Sequence, residues 1–307
     1  MTPVARIVQR PAAVEQVAPA PSRAAVLLRA CRPRQWSKNL LVLAAPCAAG
    51  VIGDPLVAAQ AAGAFIVLCL ISSATYLVND VRDREQDRTH PRKRMRPVAC
   101  GELAPRAALA YASLLATAGI VLAGVIRPSL AIVAVGYLLL TASYSLWLRR
   151  VVILDMVAIA AGFVLRALAG GVATDIYLSR WFVIVTGCFA IFLVAAKRYA
   201  ELREHVGGGP ARATLERYST SGLRAVLLVS AGLGVLAYSG WALTRPAHLL
   251  WYGLSIVPLT LWLARYAALI ASGAGQAPEE LILSDRMLLA LSVAWGVLFL
   301  GGVYVGR

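Results

Sequence analysis

Charge is scarce in this chain, and negative charge scarcest of all: Asp and Glu together number 15 in 307 residues against 30 Lys and Arg, and only 15% of residues are charged. An ordinary soluble domain carries about a quarter of its residues charged, so this balance excludes one. Cysteine is also sparse. The five, Cys31, Cys47, Cys69, Cys100 and Cys188, are scattered and odd in number, which excludes a disulfide framework and the close spacing of a thiolate metal site. They read as small hydrophobes. No 20–50-residue repeat is visible. The first stretch, residues 1–25, is rich in Pro, Ala and Arg but has no apolar core, so it is not a signal peptide. It is expected to be a disordered cytoplasmic tail ahead of a membrane domain over 26–307.

Apolar sequence, by contrast, is abundant. The chain is 60% hydrophobic, with a mean hydropathy of +0.72. This composition implies an all-α polytopic membrane protein lying in a lipid bilayer. About nine segments approach the length of a span: 38–53, 58–80, 107–126, 129–148, 151–173, 179–198, 222–243, 248–270 and 286–305. The first is short, and its start reaches back toward Arg34. With the N-terminus in the cytoplasm, only Arg127, Arg180, Arg245 and Arg307 fall outside and Arg166 falls within a span; every other Lys and Arg lies inside. The expected orientation is therefore N-in, C-out. The net charge of +15 suits nucleic acid, anionic lipid or a phosphorylated substrate. Without a soluble basic domain, nucleic acid drops out. Two long inner loops, 81–106 and 199–221, are polar and basic and are the only ones with enough polar residues to carry chemistry, so function is expected there. Gly207-Gly208-Gly209-Pro210 reads as a hinge or a plain linker, with equal weight. The sequence is compatible with a homo-oligomer and leaves that state open.

The informative acids gather where the second segment ends: Asn79-Asp80-Val81-Arg82-Asp83-Arg84-Glu85-Gln86-Asp87. If the helix continues, Asn79, Asp83 and Asp87 are spaced i, i+4, i+8, with Asp80 beside them. Like charges stacked on one face destabilise a bare helix, so a cation is expected to offset the repulsion. Hard oxygen ligands point to Mg²⁺, with Asn79, Asp80, Asp83 and Asp87 as the metal set, and Mg²⁺ held by carboxylates commonly also holds substrate phosphates. The run continues Arg88-x-His90-Pro91-x-Lys93-Arg94-x-Arg96-Pro97. Arg and Lys can take phosphate oxygens, and the prolines stiffen the loop. A basic loop that merely sets topology would explain these cations but not the aligned carboxylates. His90 reads equally as a turn residue and as a base.

Other polar residues are more ambiguous. Arg32-Pro33-Arg34-Gln35-Trp36-Ser37-Lys38-Asn39 reads first as an interfacial anchor. Asp155 and Arg166 lie eleven residues apart on one side of the fifth segment. Arg166, deep in a span, needs a partner and leans to a structural role; Asp155, near the inner end, is the better functional candidate. Lys197-Arg198, with Glu201 and Glu204, is either a snorkelling helix end or a second phosphate clamp.

Taken together, the acidic Asn-Asp-x-x-Asp-x-x-x-Asp motif after the second of about nine spans resembles the UbiA superfamily of intramembrane prenyltransferases. Within it, Arg32-Pro33-x-Gln35-Trp36-x-Lys38-Asn39, His90-Pro91-x-Lys93-Arg94-x-Arg96-Pro97, Leu154-Asp155 with Arg166, and Lys197-Arg198-x-x-Glu201 are similar to the decaprenyl-phosphate phosphoribosyltransferase branch. The resemblance runs from about Arg29 to the end. It implies a UbiA-like bundle with a cavity facing the cytoplasm of a bacterial cell membrane. It further implies transfer of 5-phosphoribose from phosphoribosyl pyrophosphate to a polyprenyl (decaprenyl) phosphate, a precursor step for arabinan in cell walls. On that footing Asp80, Asp83 and Asp87 are catalytic with Mg²⁺, and Lys38, Asn39, Arg88, Lys93, Arg94, Asp155, Lys197 and Arg198 form the substrate-phosphate set. One departure matters. Typical prenyltransferases carry a second Asp-rich motif after the sixth span, and here no Asp occurs between Asp175 and Asp285. That counts against the alternative, a prenyl diphosphate joined to an aromatic or quinone precursor. A transporter, the other class considered, would hold its polar residues at mid-membrane and not at one face.

Overall fold

The computed structural model describes residues 22–206, 217–273 and 278–305, and within them every regular element is helical. The first 21 residues and the glycine-rich 207–210 lie outside the described residues. The helices are α1 (Arg23–Cys31), α2 (Ala44–Ala48), α3 (Pro55–Arg82), α4 (Arg84–Thr89), α5 (Pro105–Ile126), α6 (Pro128–Leu146), α7 (Val152–Ala173), α8 (Arg180–Val206), α9 (Thr220–Leu243), α10 (Leu249–Ala271), α11 (Pro278–Ser284) and α12 (Arg286–Tyr304). Ser22 caps α1, so helix begins just inside the expected tail.

Local chemistry sets the boundaries. Asp54 accepts from the Leu56 and Val57 amides at 2.8 and 3.2 Å, and Pro55 opens α3. Pro105 and Pro128 stand at the first turns of α5 and α6, where a missing N–H costs nothing. Ser219 and Asp285 cap α9 and α12 through the amides of Gly222 and Leu288.

Among the described residues, eight helices are long and apolar enough to cross a membrane. Successive long helices pack against each other around the bundle, from α3 with α5 through to α10 with α12. Large apolar residues such as Val125, Ile132 and Leu236 stay exposed on the outer faces, as a lipid-facing surface requires.

The ninth crossing differs from expectation. Residues 38–53 are not one α-helix: a 3-10 helix over Pro33–Leu43 runs into α2. At about 2.0 Å per residue in the 3-10 stretch and about 1.5 Å in α2, this piece covers roughly 30 Å, a bilayer core in few residues. Its ends agree with a full crossing. Arg32 pairs with Asp80 at one end of α3, while Gly50, Val51 and Asp54 share a cavity with Thr174 and Tyr304 at the other. Gly170 of α7 makes room for it, because a Cβ there would lie 1.8 Å from the Val42 carbonyl oxygen. One apolar cluster, including Val42, Val67, Ile71, Leu130 and Tyr137, packs this segment among α3, α6 and α7. A second, including Phe192, Leu227, Leu263 and Leu288, joins α8, α9, α10 and α12.

Candidate active site

At one end of the bundle meet the C-terminal ends of α3, α6 and α8, the start of α7 and the loop into α9. Here the acidic run does not continue as one helix. α3 stops at Arg82, and Asp83 takes φ −91° and ψ 8° before α4 begins at Arg84. The row of like charges is thereby divided. Asp80 and Asp87, both buried, turn toward Arg96, whose Nη1 lies 3.3 Å from Asp80 Oδ1 and 2.6 Å from Asp87 Oδ2. Arg32 donates to the same Asp80 oxygen. Its left-handed backbone (φ 56°) turns the chain between α1 and the 3-10 helix, and its guanidinium sits over the Tyr76 ring at 5.0 Å. Asp83 faces the other way, toward the fork of Arg149 at 3.3 and 3.4 Å and toward its neighbour Arg82 at 3.2 Å. Burial alone would raise the Asp83 carboxyl, but the Arg149 and Arg82 guanidiniums hold it below the usual carboxylate range.

The donor chemistry fits Mg²⁺: carboxylate oxygens with an amide, Asn79, one turn away. Asp80 Oδ2 is buried and has no hydrogen-bond partner, an orphaned acceptor that a cation would satisfy. Among the described residues, however, no three acidic, His or Cys side chains are already gathered into a metal-binding group. The carboxylates are gathered onto arginines instead.

The expected phosphate set divides into two kinds. Arg88, Lys93 and Arg94 are exposed around the acidic loop, with Arg88 paired to Glu85 at 3.2 Å. Lys38 reaches Gln35 Oε1 at 2.7 Å, and Lys197 is partly exposed on α8. Asn39, Asp155 and Arg198 are buried. Asn39 accepts from Arg166 Nε at 2.9 Å and donates toward Cys69 and Ser72. Arg166 completes its shell on the Gly162 carbonyl at 2.9 Å and the Tyr137 hydroxyl at 2.5 Å, so it is a fully partnered scaffold residue. Arg198 grips Asp155 at 2.7 and 3.0 Å and Glu201 at 2.6 Å. Tyr144 and Tyr218 donate to the same Asp155 carboxylate at 3.0 and 3.3 Å. Burial and that carboxylate push the Tyr218 hydroxyl well above the usual tyrosine range, so it remains a donor. This network pins α7, α8 and the entry to α9 together beneath the cluster.

Hydrogen bonds bear on two further residues. His90 Nδ1 accepts from the Arg92 and Lys93 amides at 3.2 and 3.4 Å, so it is a turn residue here. Trp36 donates to Ser73 Oγ at 3.1 Å, which ties the 3-10 helix to α3 instead of leaving its indole at a headgroup surface. The sequence reading did not single out Arg32, Arg96 or Arg149. The first two stood inside the quoted motifs. The only trace of the third was an Arg149-Arg150 doublet at an inner turn.

Comparison with known proteins shows the family and the fold. The UbiA prenyltransferase family profile matches residues 40–292. A protein of Mycolicibacterium smegmatis named decaprenyl-phosphate phosphoribosyltransferase is 43% identical over 284 residues, covering 88% of this chain and 89% of that one. A Corynebacterium glutamicum protein of the same name is 40% identical over 296 residues, covering 91% and 87%. Among solved structures, a UbiA homolog from Archaeoglobus fulgidus bound to GPP and Mg²⁺ superposes with a TM-score of 0.69 at 17% identity, covering 91% of this chain and 98% of that one. The same bundle is therefore shared where sequence has diverged. The chain belongs to the UbiA prenyltransferase family, and within it stands beside relatives named decaprenyl-phosphate phosphoribosyltransferase.

Proposed function

We propose that the protein transfers 5-phosphoribose from phosphoribosyl pyrophosphate to a polyprenyl phosphate, releasing pyrophosphate, at the cytoplasmic face of a bacterial cell membrane. The observation that carries this reading is identity of 40–43% with relatives of that name over about nine tenths of the chain. The polar residues support it. Cationic side chains surround a small acidic cluster, and no Asp follows Asp175 until Asp285, so the sequence lacks a second Asp-rich motif of the kind typical of prenyltransferases. A basic rim suits two phosphorylated substrates meeting in one place.

When bound, Mg²⁺ supplies charge neutralisation for the departing diphosphate, and Asn79, Asp80, Asp83 and Asp87 would hold it. The rest is the work of the chain's own residues. The exposed Arg88, Lys93 and Arg94 bind phosphate oxygens and fix the donor's orientation. Lys38 from the 3-10 helix and Lys197 from α8 suit the acceptor phosphate. That phosphate is already ionised near neutrality, so its oxygen attacks ribose C1 without a strong general base and from the side opposite the leaving group, giving inversion. As the C1–O bond to pyrophosphate breaks, C1 gains oxocarbenium character. Positioning and charge compensation carry the rate. The buried Asp155–Arg198 and Asn39–Arg166 networks act as scaffold that holds the walls in register.

A transfer assay with purified protein in detergent tests this. Labelled phosphoribosyl pyrophosphate, a polyprenyl phosphate and Mg²⁺ are expected to give label in the organic phase, with pyrophosphate released and EDTA abolishing transfer. Product from a prenyl diphosphate and an aromatic acid, with none from phosphoribosyl pyrophosphate, would overturn the reading.

A further inference from the structure

Three carboxylates, Asp80, Asp83 and Asp87, meet guanidiniums that arrive from three separate elements. Arg32 comes from the turn before the 3-10 helix, Arg96 from the first inner loop, and Arg149 from the α6–α7 turn. With Arg82, the sequence neighbour 3.2 Å from Asp83, four guanidiniums meet three carboxylates, and the three that arrive from elsewhere make contacts of a different kind from the scaffold pairs. Arg198 is sealed, with 3% of its side chain exposed, whereas Arg32, Arg96 and Arg149 keep 27%, 27% and 36% of theirs exposed. Arg149 holds Asp83 by a loose fork at 3.3 and 3.4 Å. Under these cations one buried oxygen, Asp80 Oδ2, remains without a partner, so the arginines fill the acidic site without completing it.

We infer that Arg32, Arg96 and Arg149 are exchangeable counter-ions, which neutralise the acidic cluster when it is empty and turn onto the donor's diphosphate when a divalent cation takes the carboxylates. The inference deepens the metal–diphosphate reading above and rests on it. A dication entering alone must displace guanidiniums that have nowhere favourable to go. A diphosphate entering alone meets the carboxylates. Arriving together, each supplies what the other displaces, so cation and diphosphate bind as a unit. Arginine suits the second position because its planar fork matches a phosphate edge as well as a carboxylate.

The full-length protein in detergent gives a test that needs no turnover. Mn²⁺ binding is read from the loss of the free-ion EPR signal, and pyrophosphate binding by calorimetry in saturating Mn²⁺. Arg149→Gln is expected to bind Mn²⁺ alone several-fold more tightly than wild type and to bind pyrophosphate about tenfold more weakly. That opposition of sign is the signature of exchange. If both affinities fall, or neither changes, Arg149 is a structural ion pair and the proposal fails. Arg149→Lys, which keeps the charge but loses the fork, is the variant to use if the Gln form does not fold. It should match wild type for Mn²⁺ and lie below it for pyrophosphate, and equality with wild type for both overturns the proposal. Wild-type protein that binds no Mn²⁺ with or without pyrophosphate also overturns it. A parallel titration with phosphoribosyl pyrophosphate separates the two readings: exchange seen with pyrophosphate but no binding of the ribosyl compound leaves the exchange standing and removes the donor assignment.

Discussion

The Asp155–Arg198 pair separates two readings of the inner wall, because scaffold and substrate ligand respond oppositely to the same change. Arg198 points three donors at carboxylates: Nε and Nη2 at Asp155, 2.7 and 3.0 Å away, and Nη1 at Glu201, 2.6 Å away. Asp155 also receives the Tyr144 hydroxyl at 3.0 Å. Asp155→Ala therefore leaves a buried guanidinium with one carboxylate in place of two, and removes the acceptor of the 3.0 Å bond from the Tyr144 hydroxyl. Removing one partner of a buried pair typically costs about 3–5 kcal/mol. Glu201 remains, so a loss near the lower end, about 3 kcal/mol, is expected. For a chain of 307 residues that corresponds to a fall of roughly 5 °C in Tm. Asp155→Leu combined with Arg198→Met and Glu201→Gln removes all three charges and fills similar volume, so it should recover most of the loss. The assay is thermal unfolding of purified variants in one detergent, followed by tryptophan fluorescence, with donor binding measured below the transition. A single variant with unchanged Tm but abolished donor binding would refute the scaffold assignment and return Asp155 and Arg198 to the substrate set.

The remaining expectations concern other layers of the molecule. Gly170→Ala should sharply reduce folded yield, since the new Cβ meets the Val42 backbone at 1.8 Å; Gly124→Ala, with nothing within 4 Å, should leave yield unchanged in the same expression trial. Asp83→Asn and Asp87→Asn should lower turnover by roughly 10²-fold or more while gel filtration stays normal; near-normal turnover in well-folded variants would sink the metal assignment. The Asp83 carboxyl sits below its ordinary value of 3.8, so its contact with Arg149 adds stability above that value and loses it as pH falls through the lowered one. The stability gap between wild type and Arg149→Gln should then stay flat from about pH 8 to about pH 5 and close only in stronger acid.

How much of this was legible in the sequence follows from what each signal encodes. The eight long helices were readable because an apolar run of bilayer length has few other fates, and their bounds fall within a few residues of those expected. The first crossing was harder to read. A 3-10 helix reaches across with fewer residues, and its polar side chains, Trp36 and Asn39 among them, hydrogen-bond to α3. The acidic run was found by its composition, but its arrangement was not. The i, i+4, i+8 reading assumes a helix that continues, and the repulsion that made the motif conspicuous is relieved in the structure by a break at Asp83 that sends neighbouring carboxylates to different arginines. Arg149 lies 66 residues from Asp83 in sequence, a pairing that no local pattern reports. Nor does sequence distinguish a cation at the rim from one inside a wall. Lys197 and Arg198 are adjacent, yet one is partly exposed and the other enclosed, because a rotation of about 100° per residue turns one toward the open end and the other into the contact between α7 and α8. The family motifs thus name the residues that gather at the candidate site, while helix phase and burial, which only the packed bundle supplies, separate the side chains open at its rim from those enclosed in its walls.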